Sequence, residues 1–177
     1  SQAGGYDLLP SNGDLTAAEV ELLELKNKES RLRHALINVK DNYDFIIIDC
    51  PPSLSMLTIN SLVSCDGVIV PMQCEYFALE GLSDLIGTIS KISQRFNPKL
   101  KLEGIVRTMF DPRNTLSNEV TAQLTKHFGK IMYQIAIPRN VRLAEAPSHG
   151  LPGLVYDKKS KGALAYLGLA GEILRRE

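Results

Sequence analysis

Asp49 closes an apolar run, Tyr43-Asp-Phe-Ile-Ile-Ile-Asp, and Cys50-Pro-Pro-Ser-Leu follows it. Such a run fits a strand buried in a parallel sheet, and in open α/β sheets ligands sit outside the carboxyl ends of the strands. A carboxylate at that end suits Mg²⁺, which keeps much of its water and takes few protein ligands beside a nucleotide's phosphates. A competing structural reading makes Asp49 the cap of the next helix. The usual companion of such a strand is a Gly-rich loop ending Gly-Lys-Ser/Thr, and no such sequence occurs in the 177 residues.

Other reactive side chains say less. Cys50, Cys65 and Cys74 cannot all pair and match no common zinc spacing. They are expected as small buried or half-buried thiols in a reducing cytoplasm. His127 and His149 have no metal-like neighbours in sequence. Arg113 and Arg142, extended by Lys158, Lys159 and Lys161, are either a phosphate-binding patch or solvated surface. Twenty basic and twenty acidic residues cancel, so any nucleic-acid binding must come from a local patch. No apolar run approaches the roughly 20 residues of a membrane helix. The first residues lack the features of a signal peptide and a starting Met.

Alternating strand and helix patterns must position these groups. A short strand is expected at Tyr6–Pro10, then a helix capped by Asp14 or Thr16. Leu32, Leu36 and Val39 give helical spacing. The Asp49 strand ends at Pro51-Pro52, which cannot donate to a ladder. Ser53 or Ser55 opens the next helix. Val68–Met72 reads as a second strand and Glu80–Phe96 as a helix with Leu82, Leu85, Ile86, Ile89 and Ile92 inward. A strand over 100–109, a helix over 117–128 and a short strand over 131–135 follow. Residues 137–152 read as an ordered loop, and 162–176 as the closing helix. The pattern predicts one α/β domain over 1–177 with a mainly parallel sheet.

Five segments in fixed order resemble the ParA/Soj family of DNA-partition ATPases, a deviant Walker group of P-loop NTPases. They are the Tyr43–Leu54 run, which is similar to the family's Walker B region, Leu57-Thr-Ile-Asn-Ser-Leu, and Pro71-Met-Gln-Cys-Glu-Tyr-Phe-Ala-Leu-Glu-Gly-Leu. Thr108-Met-Phe-Asp and Ile137-Pro-Arg-Asn-Val-Arg-Leu-Ala-Glu-Ala-Pro-Ser-His-Gly complete them. The resemblance implies a three-layer α/β/α P-loop fold, here without the N-terminal Walker A strand, loop and helix. It makes Asp49 the carboxylate acting on Mg²⁺ through water. It places Met109, Pro138, Arg139 and Asn140 around the adenine of ATP. It implies nonspecific DNA binding, with Arg113 and Arg142 as contacts, a nucleotide-dependent homodimer and a ParB-like partner protein.

The parent is expected to be cytoplasmic and nucleoid-associated, without a membrane anchor, since Glu172-Ile-Leu-Arg-Arg-Glu is too short a tail. Without the Walker A lysines the chain has no catalytic residue of its own and is expected not to hydrolyse ATP alone. Loss of the central strand is expected to mean either self-association through the broken sheet or a longer parent that supplies the strand. The alternatives are a non-catalytic interaction module of the same fold and a MinD-like positioning ATPase fragment.

Overall fold

The structure, a computed structural model, describes residues 4–75 and 78–176. The Tyr76-Phe77 part of the Pro71–Leu82 motif lies outside them. The chain divides into two compact units, one holding residues 9–68 and 84–102, the other 4–8, 69–75, 78–83 and 103–176.

The first of these units is helical. The α1 helix, Asp14–Leu23, begins one residue after Gly13, whose missing side chain cannot cap it. The Asn12 amide instead accepts the Asp14 N–H at 3.0 Å, an Asx turn in place of the expected Asp14 or Thr16 cap. Next come α2, Arg31–Leu36, and α3, Met56–Ser64, the latter capped by the Ser55 hydroxyl at 3.4 Å from the Thr58 N–H. Buried Asn60 ties α3 to the turn before α2: its oxygen accepts the Leu32 N–H, and its amide donates to the Lys28 and Met56 carbonyls. At the other end of α3, Asn97 donates to the Leu62 and Cys65 carbonyls, which a helix end leaves unpaired. The α4 helix, Ala78–Arg95, sends Ile89 and Ile92 into a core with Leu62, Val63 and Leu100. The inward stripe read from its spacing is present.

The other unit carries most of the sheet. Two strands, β1 (Gly67–Gln73) and β2 (Lys101–Thr108), pair with each other. Parallel bridges join Ile105 to Met132 and Phe110 to Pro138. Gly104 is required in β2, because a Cβ there would lie 2.4 Å from the Tyr133 ring and 2.8 Å from the Ile131 carbonyl. Helices α5 (Thr115–Phe128), α6 (Val141–Glu145), α7 (Gly153–Tyr156) and α8 (Lys161–Arg176) complete it. Its core joins Val106, Tyr133, Ile137 and Leu169. The result is a helix-rich α/β protein with parallel pairing, as the alternation of patterns predicts. Among the described residues no helix is long and apolar enough to cross a membrane.

Four local expectations need correction. Residues 6–10 form no strand. Neither do residues 43–50, despite their composition: a strand exists only through its neighbours, and no ladder forms along this run. Most of its side chains stay in solvent, with Phe45 49%, Ile46 41% and Ile47 91% exposed and Ile48 half-buried. The 131–135 strand reduces to one bridge at Met132. The supposed loop after Ile137 contains α6 and a 3-10 turn at Ala146–His149, because Asn140 provides a cap that proline-counting overlooks.

Candidate functional site

Met109 follows the last residue of β2 and has a left-handed backbone, φ +52°, with 46% of its surface exposed. That conformation costs a side chain with a Cβ roughly 1–2 kcal/mol, and such strain collects at functional positions. Directly after it, the Phe110 N–H donates to the Ile137 carbonyl at 3.0 Å, and the Ile137 N–H donates to the Arg107 carbonyl at 2.8 Å. The two bonds carry the chain from β2 to the Pro138-Arg139-Asn140 turn. Met109 and that turn, distant in sequence, therefore stand at one end of the sheet.

The Asn140 amide oxygen accepts the Leu143 N–H at 3.2 Å and so caps α6. Capping engages one lone pair of that oxygen and leaves the NH₂ group as a donor. Gly162 lets α8 approach this turn, since a Cβ there would meet Leu143 at 2.4 Å and Asn140 at 3.1 Å. Arg139 is exposed. With Arg113 it draws down the Asp111 carboxyl, to about 2, chiefly through the two side-chain hydrogen bonds from Arg113 at 2.8 and 3.0 Å.

Both arginines read as DNA contacts are thus engaged. Arg113 is 88% exposed yet held by Asp111. Arg142 pairs with Glu145 at 3.0 Å and with Asp157 at 3.6 Å. Its pKa is raised, first by the Glu145 hydrogen bond. The Tyr156 hydroxyl donates to the same Glu145 carboxylate at 3.3 Å, and His149 stacks on the Tyr156 ring.

Asp49 lies in the other unit, exposed, at the head of the segment leading into α3. The α3 cap is Ser55, so capping is not the work of Asp49. What ties the segment is a set of bonds that sequence did not indicate. The Met56 N–H donates to Glu19 of α1 at 2.8 Å, and the Thr58 hydroxyl donates to the Ser53 carbonyl at 2.7 Å. Among the described residues no cluster of three or more His, Cys, Asp or Glu could hold a metal.

Similarity to known proteins bears on these residues. The AAA domain family matches residues 1–102. A Pseudomonas putida protein, itself uncharacterized, is 66% identical over all 177 residues, which cover 67% of it. The chromosome partitioning protein ParA of Myxococcus xanthus is 50% identical over 96% of this chain and 60% of its own length. The sporulation initiation inhibitor protein Soj of Bacillus subtilis is 50% identical over 94% of this chain and 66% of its own.

Among solved structures, a Mycobacterium smegmatis protein described as cobyrinic acid a,c-diamide synthase, with a bound ATP analog and magnesium, superposes with TM-score 0.76 at 38% identity. It is matched over 95% of this chain and 62% of that one. The cell division ATPase MinD of Pyrococcus furiosus, TM-score 0.69 at 23% identity over 84% of this chain and 59% of its own, shares the fold. The chain therefore spans 60 to 67% of the length of these sequence relatives. With half its positions identical to a ParA and to a Soj protein along nearly its whole length, the chain belongs to the ParA/Soj family of the MinD/ParA superfamily.

Proposed function

We propose that this chain belongs to a DNA-partition ATPase, that Met109 and the 138–140 turn face the purine of its ATP, and that Asp49 acts on Mg²⁺ through water. The observation that carries the reading is the convergence of Met109 with Pro138 and Asn140 through the Phe110–Ile137 hydrogen bond. A polarizable thioether, a flat proline and an amide NH₂ fit the face and edge of an adenine. Asp49 is exposed and leaves helix capping to Ser55, so its carboxylate is available to the water shell of Mg²⁺.

The 177 residues bring no Gly-Lys-Ser/Thr segment. Phosphoryl transfer depends on such positively charged, backbone-rich cradles, so these residues alone are expected to turn over no ATP. In the whole protein the same site supports a nucleotide-dependent homodimer, binding to nonspecific DNA and release by a ParB-like partner, at the nucleoid in the cytoplasm. Relatives named for chromosome partitioning are 47 and 50% identical, against 38% for the structure named as a diamide synthase, which favours partition. Replacing Asp49 by Ala in the chromosomal copy tests the reading. Cells lacking DNA are expected to increase; an unchanged count would remove Asp49 from the function.

A further inference from the structure

We infer that Glu172 is the positioning residue of the purine turn: from α8 it fixes the register of residues 134–140 against β2, and so the placement of Pro138 and Asn140. This rests on the function proposed above only in the meaning given to the turn.

Between the bridges at Met132 and Pro138 the chain is not a regular strand. The Tyr133 and Ile137 N–H groups donate to the Ile105 and Arg107 carbonyls of β2, at 2.9 and 2.8 Å. The Gln134 and Ile135 N–H groups between them donate instead to the two oxygens of Glu172, at 2.9 and 3.0 Å. One carboxylate thus does for this stretch what a second strand does in a ladder.

Glu172 is only 7% exposed. Burial pushes its carboxyl up, but the two backbone donors and Arg176 outweigh it and hold the group below its ordinary range. Arg176, four residues on, pairs with it at 2.7 Å, donates to the Met132 carbonyl at 2.6 Å and lies over the Tyr133 ring at 4.2 Å. Leu169 and Ile173 already supply the apolar packing between α8 and this segment. A buried carboxylate is costly unless fully partnered, and here each partner lies on 132–135 or beside it on α8. Displacement at 134–135 passes on through two bonds: Arg107 donates to the Gln134 carbonyl at 2.9 Å, and Phe110 to the Ile137 carbonyl at 3.0 Å.

The test is amide hydrogen exchange, read by NMR, on the full 177-residue chain and its E172Q and E172A variants. Because hydrogen bonds to a charged acceptor are the stronger kind, exchange at Gln134 and Ile135 is expected to speed up about tenfold or more. The distinguishing readout is that Phe110 and Leu143, which do not touch Glu172, speed up with them, while Ile59 and Cys65 of the other unit do not. Faster exchange confined to Gln134 and Ile135, or an equal rise at every amide, would overturn the inference. Should E172A not fold, E172Q, which keeps the size and one acceptor oxygen, decides alone.

A parallel titration with Mg-ADP separates the two claims. Weaker binding by E172Q, with E119Q on the exposed side of α5 unchanged, supports both. If the unsubstituted 177-residue chain takes up no nucleotide, the reading of the turn fails, and the register claim is still decided by exchange.

Discussion

The Phe110 N–H and the Ile137 carbonyl meet at 3.0 Å just past the end of β2, and the bond fixes where the next residue, Pro138, stands relative to Met109. Met109 reaches this place only by taking a left-handed backbone, φ +52°. Replacing it with Gly relieves that strain and is expected to raise stability by up to about 1 kcal/mol, while nucleotide binding weakens. Thermal unfolding and a nucleotide titration of Met109→Gly read the two effects separately. A loss of stability on going to Gly would show that the Met side chain packs rather than waits for a ligand.

Arg142 is held by Glu145 and Asp157, and an anion that binds it must compete with both carboxylates. Glu145→Gln is therefore expected to strengthen nonspecific DNA binding, and Arg142→Glu to weaken it. The slope of log affinity against log salt should flatten by about one unit in the Arg142 variant if it contacts a phosphate. An unchanged slope would take Arg142 off the DNA surface.

Burial raises the Cys65 thiol from 9.0 to about 11. The folded chain then holds a proton that the unfolded chain releases, so this contribution to stability is complete below pH 9. It declines as pH rises from about 9 to about 11. Cys65→Ser should remove that part of the alkaline loss in denaturant titrations. The same decline in the Ser variant would point to another group.

Phe45, Ile46 and Ile47 stand in solvent along a stretch with no strand partner. Apolar backbone of this kind invites pairing with another chain. Light scattering on the 177-residue chain should show mass rising with concentration, and Ile47→Lys should suppress the rise. A monomer at high concentration would contradict this.

Much of the fold was legible because period and punctuation agree. Ser55 before a run of helical spacing marks α3, and Asn97-Pro98 closes α4. Residues 43–50 were misjudged because composition encodes preference for a buried strand, whereas the partner that realises it is a tertiary matter. Asp49, Met109 and Asn140 are proposed from motif and resemblance. Glu172 could not be read that way: a Glu near the end of an amphipathic helix reads as surface, and only the fold turns its oxygens toward Gln134 and Ile135. Gly162 was missed likewise, since its close approach to Leu143 has no trace in local sequence.

The central claim is that Met109 and the 138–140 turn face adenine. Photolabelling of the 177-residue chain with 8-azido-ATP and Mg²⁺, at concentrations that fill even a weak site, tests it most directly. Mass spectrometry should find the label on peptides containing Met109 or residues 138–140, with excess ATP removing it and Asn140→Ala reducing it. Label scattered over other peptides, or insensitive to ATP, would contradict the account.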